Sequence, residues 1–172
     1  MLHKWLRYEY DMQGKWDFVP CAVEWAFNNK EGAPLRLKLE DGQKFAIMGR
    51  VDRIDKNGDK VFVTDYKLGS VPAVDDLPNG VDLQLPIYLL AANKLYGKEV
   101  AGGGYLSMKE GKRKNNVKLD VSQEFPFMDK RSKDHFVNIE DRWLAFKEGS
   151  EKLLCSYVQG IYDGNFNVQQ MK

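Results

Sequence analysis

The chain has 172 residues, 43% of them hydrophobic and 30% charged, with a formal net charge of +1. That balance fits one globular domain with a single core and excludes a disordered polyelectrolyte. It also excludes a protein-wide basic field, so any surface for nucleic acid has to be local. No run of eighteen apolar residues occurs and the first twenty residues lack a signal-peptide core, which points to the cytoplasm and away from a membrane. Cys21 and Cys155 stand far apart without CxxC spacing. This suits a reducing compartment and argues against a metal knuckle. The chain opens directly into a helical pattern and stops at "GNFNVQQMK" without a closing element, so residues 1–172 are expected to form a single domain taken from a larger protein.

"LHKWLRYEYDM" carries Leu2, Trp5, Leu6 and Met12 near helical spacing and predicts an opening helix. "DFVPCAVEWAF" follows as a strand, with Pro20 marking an edge or a bulge. "PLRLKLEDGQKFAIMGRVDRID" alternates apolar and polar residues on both sides of Asp41-Gly42, the pattern of a hairpin. Asn57-Gly58 marks a second tight turn into "KVFVTDYK". After a polar loop over 68–80, "VDLQLPIYLLAANKLYG" is apolar at Leu85, Leu89, Ala92 and Leu95, a helix ended by Gly97. "EVAGGGYLSM" and, more weakly, "KLDV" read as strands, with the basic loop "KEGKRKNN" between them. A long amphipathic helix over roughly 138–163 closes the pattern. The order αββββαββα predicts an α/β fold with a mixed, mostly antiparallel sheet and helices packed on it.

The segment "VDRIDKNGDKVFVTDYK" concentrates four aspartates and a lysine in one hairpin. A two-residue type I′ turn at Asn57-Gly58 pairs Lys56 with Asp59 and Asp52 with Val63. Alternation then puts Val61, Val63, Asp65 and Lys67 on one face, and cross-strand pairing adds Asp52 to it. Asp65 falls on the diagonal from Asp52, at roughly 7–8 Å, close enough for two carboxylates to share a divalent ion. Asp55 falls on the other face and Asp59 in the turn, which makes both bystanders. A calcium loop is excluded, because Lys60 occupies the position that needs glycine and Tyr66 the one that needs glutamate. A lysine beside two carboxylates is also the composition of a plain salt bridge, so the residues alone leave that alternative open.

"GRVDRID", "VTDYK" and "QLPIY" resemble, in order and spacing, the nuclease motifs of the PD-(D/E)XK superfamily, and within it the RecB/AddB-type branch. The resemblance implies a restriction-endonuclease-like fold and Mg²⁺- or Mn²⁺-dependent hydrolysis of DNA. It casts the chain as the exonuclease domain of an AddB-like helicase–nuclease subunit in double-strand break repair, with a partner subunit. It assigns metal binding to Asp52, Asp65 and the backbone carbonyl of Tyr66. Lys67 would position the attacking water or stabilise charge on the phosphate, and Gln84 and Tyr88, spaced i, i+4, would support the site and meet the DNA backbone. Glu24 matches an acidic position on the preceding strand, and Gly49 leaves room for close approach of DNA; both are candidates to support the metal residues. Lys109, Lys112, Arg113 and Lys114 form a candidate phosphate-tracking patch. His3 lacks the surroundings of the metal-binding histidine that relatives carry on an upstream helix, and neither it nor His135 is assigned a role. The resemblance allows an iron–sulfur cluster in the parent protein but not in this segment, because Cys21 and Cys155 do not match the cluster pattern. The rival reading is a nuclease-like fold without catalysis that binds DNA or docks a subunit. Asp52, Asp65 and Lys67 together count against it. Nucleotide binding lacks its motifs, for which "AGGG" is a poor substitute.

Overall fold

Gly58, with φ of 56°, reverses the chain between strands β4 (Gly49–Asn57) and β5 (Lys60–Lys67). This hairpin is the centre of the computed structural model, which describes residues 2–72, 80–127 and 140–165. Helix α1 (Leu2–Met12) precedes β1 (Val19–Phe27), β2 (Leu35–Lys38) and β3 (Lys44–Ile47). After the central hairpin come α2 (Gln84–Tyr96), β6 (Glu99–Ser107), β7 (Lys112–Lys118) and α3 (Arg142–Tyr162). The main sheet has the order β1-β4-β5-β6-β7, with only the β5–β6 pair parallel. It is thus the mixed, mostly antiparallel sheet flanked by helices that the element order predicts. No helix among the described residues is long and apolar enough to cross a membrane.

Three local expectations change. The run over 43–55 is not one strand. It breaks at Met48 into β3, which pairs with β2 as a separate two-stranded sheet, and β4, which joins the main sheet. "KRKNNVK" is strand β7 rather than a loop, so the basic residues sit on a sheet edge. The central turn uses Gly58-Asp59 instead of Asn57-Gly58, with Asn57 paired to Lys60. A I′ turn needs positive φ at both central residues, whereas here only Gly58 has it, the requirement of a II′ turn. The register therefore moves by two residues, which preserves every facing. Continuing it one step from Arg53↔Thr64 sets Asp52 directly opposite Asp65 rather than on a diagonal. Pro20 lies on edge strand β1 beside a register shift, as a residue without an N–H should.

The two sheet faces carry separate cores. Ile54, Val61 and Val63 pack with Leu85, Leu89, Phe146 and Leu154 of α2 and α3. On the reverse face Phe62 packs with Trp16, Phe18, Ala101 and Phe125. Helix α2 descends closely onto β6 because a Cβ at Gly103 would stand 2.8 Å from the Leu89 side chain. Burial of Leu85 and Leu89, each worth about 1.5–3 kcal/mol, fixes the helix more strongly than a cap worth ~1 kcal/mol. Its N-cap, Leu83, offers no side-chain hydrogen bond. Asp82 supplies one instead, its Oδ1 accepting the Gln84 N–H at 3.1 Å. Gly97 ends the helix in the left-handed region at φ 72°.

Candidate active site

Strand alternation and the hairpin bring Asp52, Asp65 and Lys67 onto the α2 side of the sheet. Asp52 is half-buried, and its Oδ2 accepts the Tyr66 backbone N–H at 2.7 Å, which fixes the carboxylate against the neighbouring strand. Asp65 is only 1% exposed. Burial, with smaller pushes from Asp52 and Asp82, holds its carboxyl above the usual range despite the Lys67 ammonium. Lys67 Nζ lies 2.9 Å from Asp65 Oδ2 and also donates to Gln84 Oε1. The amide of Gln84 in turn donates from Nε2 to the Tyr88 hydroxyl at 3.0 Å. The first turn of α2 thus faces the hairpin through an unbroken chain of hydrogen bonds. Pro86 is no obstacle, since it sits in that first turn, where an N–H has no helical partner to lose.

The other candidates separate. Tyr66 turns its side chain to the reverse face, where its hydroxyl accepts from Arg53 at 3.4 Å and its ring meets Trp5 edge-on. Gly49, by its missing side chain, makes room for the Phe27 ring, from which a Cβ there would stand 2.5 Å. Its link to the site is indirect, because Phe27 packs edge-on against Tyr88 at 6.1 Å. Glu24 has φ of 50° and an exposed side chain paired with Arg50 at 3.5 Å, and the β1–β4 register, Val23 to Arg53 and Trp25 to Val51, sets its backbone opposite Asp52. Arg113 does not track phosphates from the surface. It is buried among Trp16, Phe62 and Phe127 and pairs with Asp55 Oδ2 at 3.3 Å. Asp55 is therefore no bystander, although it lies on the opposite face as alternation requires. It is fully buried and also accepts from Arg53 Nε at 2.7 Å. Arg53 in turn reaches Glu9 of α1 at 2.9 Å.

Lys109, Lys112 and Lys114 line a cavity of about 860 Å³ that begins at Leu68, directly after Lys67. The register pairs Lys67 with Ser107 and Ser107 with Lys112, and likewise Asp65 with Tyr105 and Tyr105 with Lys114. Lys112 and Lys114 thus share the face of the acidic pair, two strands away. Glu110 pairs with both lysines, and hydrogen bonding from Lys114 holds its carboxyl below the usual range. His3 lines a separate cavity with Leu6, Arg7, Tyr10 and Asp11, and His135 lies outside the described residues. Cys21 donates to the Ile54 carbonyl and Cys155 to that of Lys38, so the two thiols belong to different parts of the fold.

Two site residues lie outside the sequence motifs. Asp82 receives the Tyr105 hydroxyl, and the Tyr105 ring lies 5.4 Å beneath Lys67 Nζ. An aspartate just ahead of a helix is a visible capping signal, but Tyr105 reaches the site only through the parallel β5–β6 pairing.

The donor set suits a hard divalent cation. Asp52 and Asp65 offer carboxylate oxygens on one face, and burial, with smaller pushes from Asp52 and Asp82, raises the Asp65 carboxyl, a penalty on its charged form that a bound cation would offset. No three His, Cys, Asp or Glu side chains among the described residues converge as ligands. Two protein carboxylates suit an ion such as Mg²⁺, which keeps much of its coordination for water and phosphate oxygens.

The fold is a mixed sheet that carries two acids and a lysine on one face of its central hairpin. The model of the PD-(D/E)XK nuclease superfamily matches residues 1–172, and the chain belongs to that family. It is 31% identical over 154 residues to an ATP-dependent helicase/deoxyribonuclease subunit of Carboxydothermus hydrogenoformans, covering 84% of this chain and 14% of that protein. The protein of the same description from Alkaliphilus oremlandii is 34% identical over 116 residues, 61% of this chain and 10% of its own length. The chain thus spans a small fraction of the relatives it matches. The crystal structure of SSO0001 aligns with 87% of this chain and 55% of its own at 15% identity and a TM-score of 0.36, too distant to bear on the site.

Proposed function

We propose that this chain is a divalent-metal-dependent deoxyribonuclease unit, an exonuclease acting within a larger cytoplasmic helicase–nuclease subunit that works with a partner subunit on DNA ends. What supports the reading above all is the union of Asp52, Asp65 and Lys67 on one face, gripped by Gln84 from α2. Asp52, Asp65 and the Tyr66 carbonyl would hold Mg²⁺ or Mn²⁺. When bound, the ion supplies Lewis acidity toward a phosphate oxygen. Asp52, tied to the Tyr66 N–H, keeps a fixed orientation through turnover. Lys67 sets its ammonium against the charge that develops on the phosphate, in a half-buried position where a fixed cation is worth more than in water. Lys109, Lys112 and Lys114 would carry the departing strand by its phosphates.

The test is degradation of linear and circular DNA with EDTA, Mg²⁺ or Mn²⁺. Cleavage of linear DNA only with added divalent ion is expected, and Lys67→Ala should lower it by roughly 10²–10³-fold while the fold persists. A wild-type chain that binds DNA without cutting it under any ion would point to the non-catalytic module instead.

A further inference from the structure

Among the described residues Lys67 is the one cation that pairs with Asp65, so its placement decides whether its charge faces a phosphate or is lost to a simple ion pair. Its terminal atom meets the Asp65 carboxylate at 2.9 Å, the Gln84 side-chain oxygen, and the Tyr105 ring at 5.4 Å. Two of them converge on one residue that belongs to no recognised motif. Asp82 Oδ2 receives the Tyr105 hydroxyl, and Asp82 Oδ1 receives the Gln84 backbone N–H at 3.1 Å. The contacts close a ring: Lys67 to Gln84, Gln84 to Asp82, Asp82 to Tyr105, and Tyr105 back to Lys67.

We propose that Asp82 and Tyr105 form a brace that positions Lys67 for phosphate, acting through its neighbours without touching substrate. This inference rests on the nuclease reading of the site. The physical case has three parts. A lysine side chain is long and rotamer-rich, so a productive position must be enforced by its surroundings. The Tyr105 ring is fully buried and directly beside Asp65 in the β5–β6 register, so it is a rigid floor. Its electron-rich face attracts an ammonium without competing with phosphate for the ammonium's N–H donors. A charge-assisted bond from the Tyr105 hydroxyl to Asp82 fixes the ring, and the other oxygen of the same carboxylate fixes the start of α2 and hence Gln84. One carboxylate thereby sets both supports of Lys67. A cap that served only α2 would leave Tyr105 outside its reach, and a purely packing tyrosine would need no anionic partner.

The experiment compares the full chain with Tyr105→Phe, which keeps the ring and removes only the hydroxyl, and with Asp82→Asn, which keeps an oxygen for the Gln84 N–H. Two readouts are taken. Labelling of Lys67 by an amine-reactive ester, followed by peptide mass spectrometry against exposed Lys44 as internal reference, reports how tightly the ammonium is held without requiring activity. Steady-state cleavage separates kcat from KM. The expected result is severalfold faster Lys67 labelling in both variants with Lys44 unchanged, and a kcat lowered roughly tenfold with KM for DNA nearly constant, as misplacement of a transition-state group requires. Unchanged labelling and unchanged kcat in Tyr105→Phe would overturn the brace. If Asp82→Asn alone lost its fold, Tyr105→Phe would still decide. A wild-type chain that cuts no DNA would defeat the nuclease reading, whereas the labelling comparison would still judge the brace.

Discussion

Asp52 and Asp55 stand three residues apart in β4 and carry opposite burdens. Asp52 is half-buried on the face of α2, held by one backbone N–H. Asp55 is sealed on the reverse face between Arg53 and Arg113. Burial pushes the Asp55 carboxyl up and the Arg113 guanidinium down, so both ions resist being charged and each depends on the other. Asp55→Ala, which removes both acceptor oxygens from Arg53 and Arg113, should therefore cost about 3–5 kcal/mol, measured as a lower denaturant midpoint. Any loss of cleavage should follow that instability and vanish once unfolded protein is discounted. Alternation alone separates these two aspartates by face, because period-two geometry survives a register error of two residues. What alternation cannot reveal is that Arg113, 58 residues later, turns inward to meet Asp55. In sequence it looks like one more basic residue in "KEGKRKNN", and only its stacking on Trp16 and Phe62 distinguishes it from its neighbours.

At the scale of elements, the β6–β7 hairpin turns a run of basic residues into an ordered row. Edge strand β7 sends Arg113 inward and Lys112 and Lys114 to the active face, one residue apart on each side. A loop would have left all of them equivalent, and so the patch is smaller than the sequence suggests. Glu110 occupies both lysines with its single carboxylate, much as a phosphate would. Exposed pairs of this kind are weak and screened by salt, so DNA can displace the carboxylate. Glu110→Gln should accordingly tighten binding of single-stranded DNA by roughly twofold to fivefold at low salt, the scale of such a pair. Lys112→Ala should weaken binding alike for all sequences and reduce the salt-dependence slope by about one. Fluorescence anisotropy over a salt series measures both. An unchanged slope in Lys112→Ala would remove that lysine from the phosphate track.

For the whole molecule, the fold is legible wherever local chemistry decides and obscure where distant segments meet. Turn glycines, Pro20 on an edge and the α2 stop at Gly97 are written in short stretches. The break at Met48 is not, because it lies where β3 pairs with β2 while β4 pairs with β1, a partner distant in sequence. The Asp82–Tyr105 contact is hidden in the same way by the crossover from β5 to β6. One property does belong to the molecule as a unit, namely the coupling of its stability to its buried carboxyls. Burial raises the carboxyls of both Asp55 and Asp65. A carboxyl with a folded pKa above its unfolded value, about 3.9, binds its proton more tightly in the folded state. Its contribution to stability is therefore present at low pH and lost as pH rises through the window between the two values. In EDTA the wild-type chain should lose stability across that window. Asp65→Asn should flatten part of this slope and match or slightly exceed the wild type at neutral pH, since it removes a buried charge but retains an oxygen for Lys67. A divalent ion reverses the order. Binding to the folded state alone stabilises by mass action, about 2.7 kcal/mol at a hundred times the dissociation constant, and should lift the wild-type melting temperature. The variant, lacking half of the acidic pair, should show no such rise and no cleavage. Melting curves with Mn²⁺ and with EDTA across pH, beside a plasmid-degradation assay, measure all three effects. An Asp65→Asn chain that Mn²⁺ stabilised as much as wild type would remove Asp65 from the metal site, whatever its cleavage rate.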